Sequence, residues 1–176
     1  MMRLFTALIF PDEVKKHLSS LQFGLKKAKW VDFDNFHLTL SFIGDHPSEV
    51  VAILKEEFAE ITFDPFVIEF DGIGHFGSKN KINTLWVGIK ECEALKSLQQ
   101  DIDRAVKRCG LTPVRRKFVP HVTLARFNQG SFKDIAEYLQ NLPLDATQLK
   151  LKVDHFYFME SVLKPSGAKY FEIEEY

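Results

Sequence analysis

Phe36-His37-Leu38-Thr39-Leu40-Ser41-Phe42-Ile43-Gly44 and Phe118-Val119-Pro120-His121-Val122-Thr123-Leu124-Ala125-Arg126 decide how this chain is read. Both stretches are apolar and rich in residues that suit a pleated strand. In a strand, residues i and i+2 share a face, so each His stands beside its Thr while Leu38 or Val122 points to a core. One His-x-Thr on a strand is more often structural than functional. Two copies of H-x-T-L are another matter, because the composition yields the pattern only about 0.03 times per chain by chance. A helical pattern precedes and follows each copy, so the chain reads as an internal duplication with a period far longer than a solenoid repeat.

Working outward, residues 2–10 form a buried-strand pattern, and Pro11 opens a helix with Val14, Leu18, Leu21 and Leu25 on one face. Residues 36–43 carry the first motif and Gly44-Asp45 ends that strand. Pro47 starts a second helix with Val50, Leu54 and Phe58 inward. Residues 66–70 read as a strand that leads into a glycine-rich turn or bulge at 71–77. Residues 84–89 are a strand containing Trp86, and 91–109 a helix stopped by Gly110. Residues 118–127 carry the second motif. Ser131 and Asp134 form a box-like start to a short helix with Phe132, Ile135 and Leu139 as its buried stripe. Strands at 149–160 and 170–173 close the chain. Strands and helices alternate, yet several connections are hairpins, which favours α+β with antiparallel sheets and helices packed outside.

At 176 residues, with a hydrophobic fraction of 45% and no linker-like stretch, the chain reads as one large domain or two small lobes sharing a core over 1–176. The formal net charge of −1 lacks the basic excess that gripping a long polyanion needs. A nucleic-acid substrate is therefore expected to be a terminus or short fragment. Cys92 and Cys109 sit too far apart along one helix to pair and read as buried thiols. The apolar run 4–10 is too short to span a membrane and lacks a signal pattern. The expectation is a monomeric, soluble, cytoplasmic protein with no membrane partner.

Two imidazoles and two hydroxyls in one cleft make a metal-free acid–base pair. Imidazoles titrate near neutrality, so one can take a proton from water and the other give one to a leaving oxygen. A short Thr side chain is a preorganised donor to a phosphoryl oxygen. No zinc pattern, nucleophile elbow or P-loop is present, and no cofactor is expected. The candidate catalytic residues are His37, Thr39, His121 and Thr123. Arg115 precedes the second motif and is a candidate substrate contact. Arg126 is another, although regular alternation puts it on the face opposite His121 unless a bulge intervenes. His17, His46, His75 and His155 are read as structural or incidental.

These stretches, with Arg3-Leu4-Phe5, Trp30, Gly72-Ile73-Gly74-His75-Phe76, Leu85-Trp86-Val87-Gly88, Glu160-Ser161-Val162-Leu163 and Pro165-Ser166-Gly167-Ala168-Lys169-Tyr170, resemble the 2H phosphoesterases. The similarity is specifically to the RNA 2′,3′-cyclic phosphodiesterases, also called 2′-5′ RNA ligases. The resemblance implies a bilobal, pseudo-two-fold fold with two antiparallel sheets around a central cleft. It implies hydrolysis of an RNA 2′,3′-cyclic phosphate, on tRNA halves or short fragments, to a 2′-phosphomonoester. His37 would be the proton donor to O3′ and His121 the proton acceptor from water. It also implies 2′-5′ ligation from a cyclic end without ATP. The competing expectations are a phosphodiesterase for small cyclic nucleotides such as ADP-ribose cyclic phosphate, a non-catalytic binder of RNA ends, and a structural protein with incidental His.

Overall fold

A computed structural model describes residues 1–78, 81–114, 117–165 and 167–176. The elements run β1 (Met2–Ile9), α1 (Asp12–Ser20), β2 (Lys29–Trp30), a 3-10 turn (Phe33–Asn35), β3 (His37–His46), α2 (Glu49–Ala59), β4 (Phe66–Ser78), β5 (Lys81–Ile89), α3 (Glu93–Arg108), β6 (His121–Gly130), α4 (Phe132–Gln140), β7 (Lys150–Val153), β8 (Tyr157–Lys164) and β9 (Gly167–Glu175). The order across the sheet is β7-β4-β5-β6-β3-β1-β8-β9, with β2 on β6, and every pairing is antiparallel. This is the expected α+β class.

Two four-stranded halves meet where β3 faces β6. Among the described residues that seam is one bridge, Leu38 to Val122. These are the middle residues of the two His-x-Thr motifs, and both are fully buried. A local two-fold axis therefore passes between the motifs. All four helices feed the same buried cluster as Leu38 and Val122, through Val14, Leu54, Ile102 and Ile135 among others. The helices thus cover one face of the joined sheet, and the other face is left for the His and Thr side chains.

Several boundaries differ from the sequence reading. β3 runs on through Gly44 and Asp45, because a register shift lets Gly44, at φ +104°, stay paired with Leu4. The glycine-rich segment 71–77 is not a turn. It belongs to the 13-residue strand β4, with a bulge at Gly72 (φ +64°) that absorbs the irregularity. β6 begins at His121 rather than 118. The closing strands are three, since 154–156 breaks the first and β8 and β9 form a hairpin. On α4, Ser131 caps as expected, its hydroxyl accepting from the Asp134 amide at 3.2 Å. The buried pair there is Ile135 and Tyr138, while Phe132 and Leu139 face outward. The three-residue spacing 135–138 meets the core, and the Tyr138 hydroxyl donates to the Leu21 carbonyl at 2.8 Å, so an aromatic with a polar tip takes the inner position. Cys92 and Cys109 flank α3 at opposite ends, unpaired and half-buried rather than buried.

Candidate active site

The register at Leu38–Val122 sets the four motif side chains on one face, and a cleft of about 900 Å³ lies over them. His37, Thr39, His121 and Thr123 all line it. The two His are held alike. His37 Nδ1–H donates to the Asn35 carbonyl at 2.7 Å, and His121 Nδ1–H donates to the Val119 carbonyl at 2.6 Å. A carbonyl only accepts, so Nδ1 carries the proton in both rings and Nε2 is the nitrogen left for chemistry. Each carbonyl lies two residues before its His, in the turn or coil that enters the strand. The irregular entries at 33–36 and 117–120 thus select the tautomer.

Aromatic rings wall each imidazole. Around His37 stand Phe5, at 5.4 Å between centroids, and Tyr170, at 4.8 Å edge-on. Around His121 stand Phe76, at 4.8 Å edge-on, and Trp86, at 5.8 Å. Trp86 lies flat across β4 because its cross-strand partner is Gly74. A Cβ on Gly74 would fall 2.1 Å from the indole ring. The sequence reading missed these four walls as site residues. Their only signal was that each lies within a stretch that carries the resemblance.

Burial lowers the pKa of both His. Desolvation is the largest cause for His37, offset in part by the hydrogen bond to Asn35, with the Arg126 charge and His121 adding to the fall; it titrates at about 4. His121 is lowered by desolvation and then by Arg126, against the bond to Val119. Both rings are therefore neutral near pH 7. His37 Nε2 then accepts from the Thr39 hydroxyl at 3.0 Å.

Arg126 reaches the cleft, and a bulge takes it there. In the β5–β6 ladder Trp86 pairs with Thr123 but Leu85 pairs with Ala125, so Leu124 is an extra residue. Thr84 then pairs with Arg126, on the same face as Trp86 and Thr123. The first motif does the same. Ala7 pairs with Thr39 and Thr6 with Ser41, leaving Leu40 extra and turning Phe42 to the cleft. The pseudo-two-fold therefore sets Phe42 against Arg126. Arg115 lies outside the described residues. Lys29, Lys117 and Arg3 also line the cleft. Two acids, Asp32 and Asp103, line it as well, the latter accepting from Ser41 Oγ at 2.5 Å and from Gln99 Nε2 at 2.8 Å, so four cations face two carboxylates. The cleft is locally positive on a near-neutral chain.

The other four His do not line this cleft. His17 bonds the Ala146 carbonyl, His46 the Ile43 carbonyl, His155 pairs with Asp154, and His75 packs edge-on to Phe132. Among the described residues, no group of three or more His, Cys, Asp or Glu side chains comes together as a metal ligand set, and no helix is long and apolar enough to cross a membrane.

The chain is 30% identical over 175 residues to the RNA 2′,3′-cyclic phosphodiesterase of Thermotoga maritima, spanning 96% of this chain and 91% of that one. It is 28% identical over 172 residues to the RNA 2′,3′-cyclic phosphodiesterase of Archaeoglobus fulgidus, spanning 96% of each. Its fold is that of E. coli LigT in apo form, with a TM-score of 0.80 at 22% identity over 99% of this chain and 96% of LigT. The family model described as the 2′-5′ RNA ligase superfamily matches residues 10–164. With both His-x-Thr strands inside that span, the chain belongs to the 2′-5′ RNA ligase superfamily.

Proposed function

We propose that this cleft opens RNA 2′,3′-cyclic phosphates to 2′-phosphomonoesters by acid–base catalysis with two imidazoles. The observation that carries the reading is the matched pair of His rings, each with Nδ1–H held by a carbonyl, in one positive cleft beside two Thr. His121 Nε2 takes a proton from water as the water oxygen bonds to phosphorus. The bond from phosphorus to O3′ breaks, and His37 Nε2 gives that oxygen a proton. Thr39, Thr123 and Arg126 hold the phosphoryl oxygens, where charge grows in the transition state. An RNA 5′-hydroxyl in place of water gives 2′-5′ ligation by the same path.

His37 must acquire its proton before it can donate. Burial first, and then the Arg126 charge, oppose that proton. A bound phosphate anion cancels the guanidinium field and adds its own attraction, so substrate binding itself loads the acid. The local excess of Arg3, Lys29, Lys117 and Arg126 over Asp32 and Asp103 suits a short anionic end, as the net charge of −1 requires. The names of the relatives above support the RNA substrate.

The test is turnover of a short RNA ending in a 2′,3′-cyclic phosphate, in EDTA, by wild type, His37→Ala and His121→Ala. Conversion to the 2′-phosphate should persist in EDTA and fall by about 10²–10⁴-fold in each variant. Full activity in either variant would sink the mechanism. Binding of the RNA without turnover at any pH would indicate a capture module instead.

A further inference from the structure

One wall of His37 comes from the far edge of the sheet. In the ladders Tyr170 stands opposite Ser161, Ser161 opposite Arg3 and Arg3 opposite Asp45, whereas His37 stands opposite Ile9. A flat sheet would hold Tyr170 about 14 Å across and about 20 Å along from His37. The two rings are instead 4.8 Å apart. The β8–β9 hairpin therefore folds back over the cleft as an arm. Its tip runs past Ser161, where the β1–β8 ladder ends. The tip reaches the second lobe, since a Cβ on Gly167 would lie 3.9 Å from Nζ of Lys29, and Lys29 sits on β2, paired to β6.

An overhanging arm has no neighbouring strand to hold it. Among the described residues, one hydrogen bond ties the tip to the rest of the chain, from Asn35 Nδ2 to the Ala168 carbonyl at 3.0 Å. Asn35 is also the residue whose carbonyl accepts from His37 Nδ1–H. It thus grips the imidazole with its backbone and, with its side chain, the arm that walls that imidazole. The second lobe is built otherwise. Val119 offers His121 the same carbonyl, but its side chain cannot donate. The walls of His121, Phe76 and Trp86, sit on β4 and β5, and β5 is laddered directly to β6.

We infer that Asn35 is the positioning residue of the first lobe, its side-chain amide holding the β8–β9 arm closed so that Tyr170 and the Asn35 carbonyl together fix the aim of His37 Nε2. The inference rests on the reading above that His37 protonates the leaving oxygen. With the tie cut, the carbonyl still favours a proton on Nδ1, but the arm opens and the ring gains room to turn away from O3′. A small misalignment of a catalytic group is costly, because proton transfer needs a near-linear approach.

The experiment uses Asn35→Ala and Asn35→Leu, the second keeping the side-chain volume without a donor; thermal melts check that both fold. Each should lower kcat for adenosine 2′,3′-cyclic phosphate by about ten-fold or more, with KM little altered. The analogue with sulfur in place of O3′ isolates the cause. Its leaving thiolate needs no proton, since a thiol ionises near pH ~8.5. On the analogue both variants should run close to the wild-type rate, as should His37→Ala, while His121→Ala should stay slow. Hydrogen exchange at the amides of residues 167–170 should quicken in both variants, with β3 unchanged. An equal loss on both substrates, no loss on either, or unchanged exchange in the arm would overturn the role of Asn35 and leave the cyclic phosphodiesterase reading intact. A His37→Ala enzyme as slow on sulfur as on oxygen would overturn the acid assignment, and no turnover by wild type the whole reading; the inference falls with either.

Discussion

The sharpest prediction concerns the proton on His37. Its pKa falls from 6.5 to about 4, chiefly because burial penalises the cation. At about 1.36 kcal/mol per unit, protonating it costs about 3 kcal/mol more than in water. To serve as an acid at pH 7 it must climb by about three units, or ~4 kcal/mol. A phosphate monoanion about 4 Å away, at an effective dielectric near 20, supplies ~4 kcal/mol. The attraction of the bound phosphate therefore matches the deficit. The assay is a pH titration of the histidine ring nitrogens by long-range ¹H–¹⁵N spectra, free and with adenosine 2′-phosphate. Free His37 should keep its neutral Nδ1–H signature at pH 5.5, where an ordinary His is mostly charged. With ligand, its midpoint should rise toward neutrality. A free midpoint near 6.5, or one the ligand leaves unmoved, would refute the argument. Stability gives a second readout with a definite sign. The unfolded chain binds this proton from about pH 6.5 downward and the folded one only near 4, so stability should fall as pH drops through that window, and His37→Gln should flatten the fall.

Further predictions test other parts of the site. Removing a guanidinium that lowers both His, as in Arg126→Gln, should raise both free-protein midpoints, move the acid limb of kcat/KM upward and weaken phosphate binding. Gly74→Ala places a Cβ on the Trp86 ring and must push the indole toward His121, so turnover should drop by about 100-fold with the fold retained by circular dichroism. Ser131→Ala removes the cap of α4 far from the cleft, and should cost about 1 kcal/mol in a denaturant melt while kcat stays put.

Much of the site was legible because it is local. His and Thr two residues apart on a strand share a face whatever the rest of the chain does, and two such strands announce a pair. The class and most elements also followed from local periodicity, as at Val14 and Leu18 or Leu98 and Ile102. Local signals with two meanings needed the fold to choose between them. Gly72 was consistent with a turn or a bulge, and pairing with β5 chose the bulge. Phe132 and Leu139 are apolar at helical spacing and were misread as inward, yet the core took Ile135 and Tyr138, whose hydroxyl reaches the Leu21 carbonyl.

The sequence by itself determined the two His-x-Thr pairs, the strands that present them, and a charge too small for a long polyanion. Those are properties of neighbours along the chain and of composition. Tertiary structure alone decided that the strands meet at Leu38 and Val122, bringing the motifs into one cleft. It alone buried His37 deeply enough to hold it neutral. It also settled the side on which Arg126 lies. Period-two alternation excludes that residue from the cleft, and one extra residue at Leu124 reverses the exclusion. A strand's faces are counted from its partner's register, and register is a relation between strands that no single strand encodes.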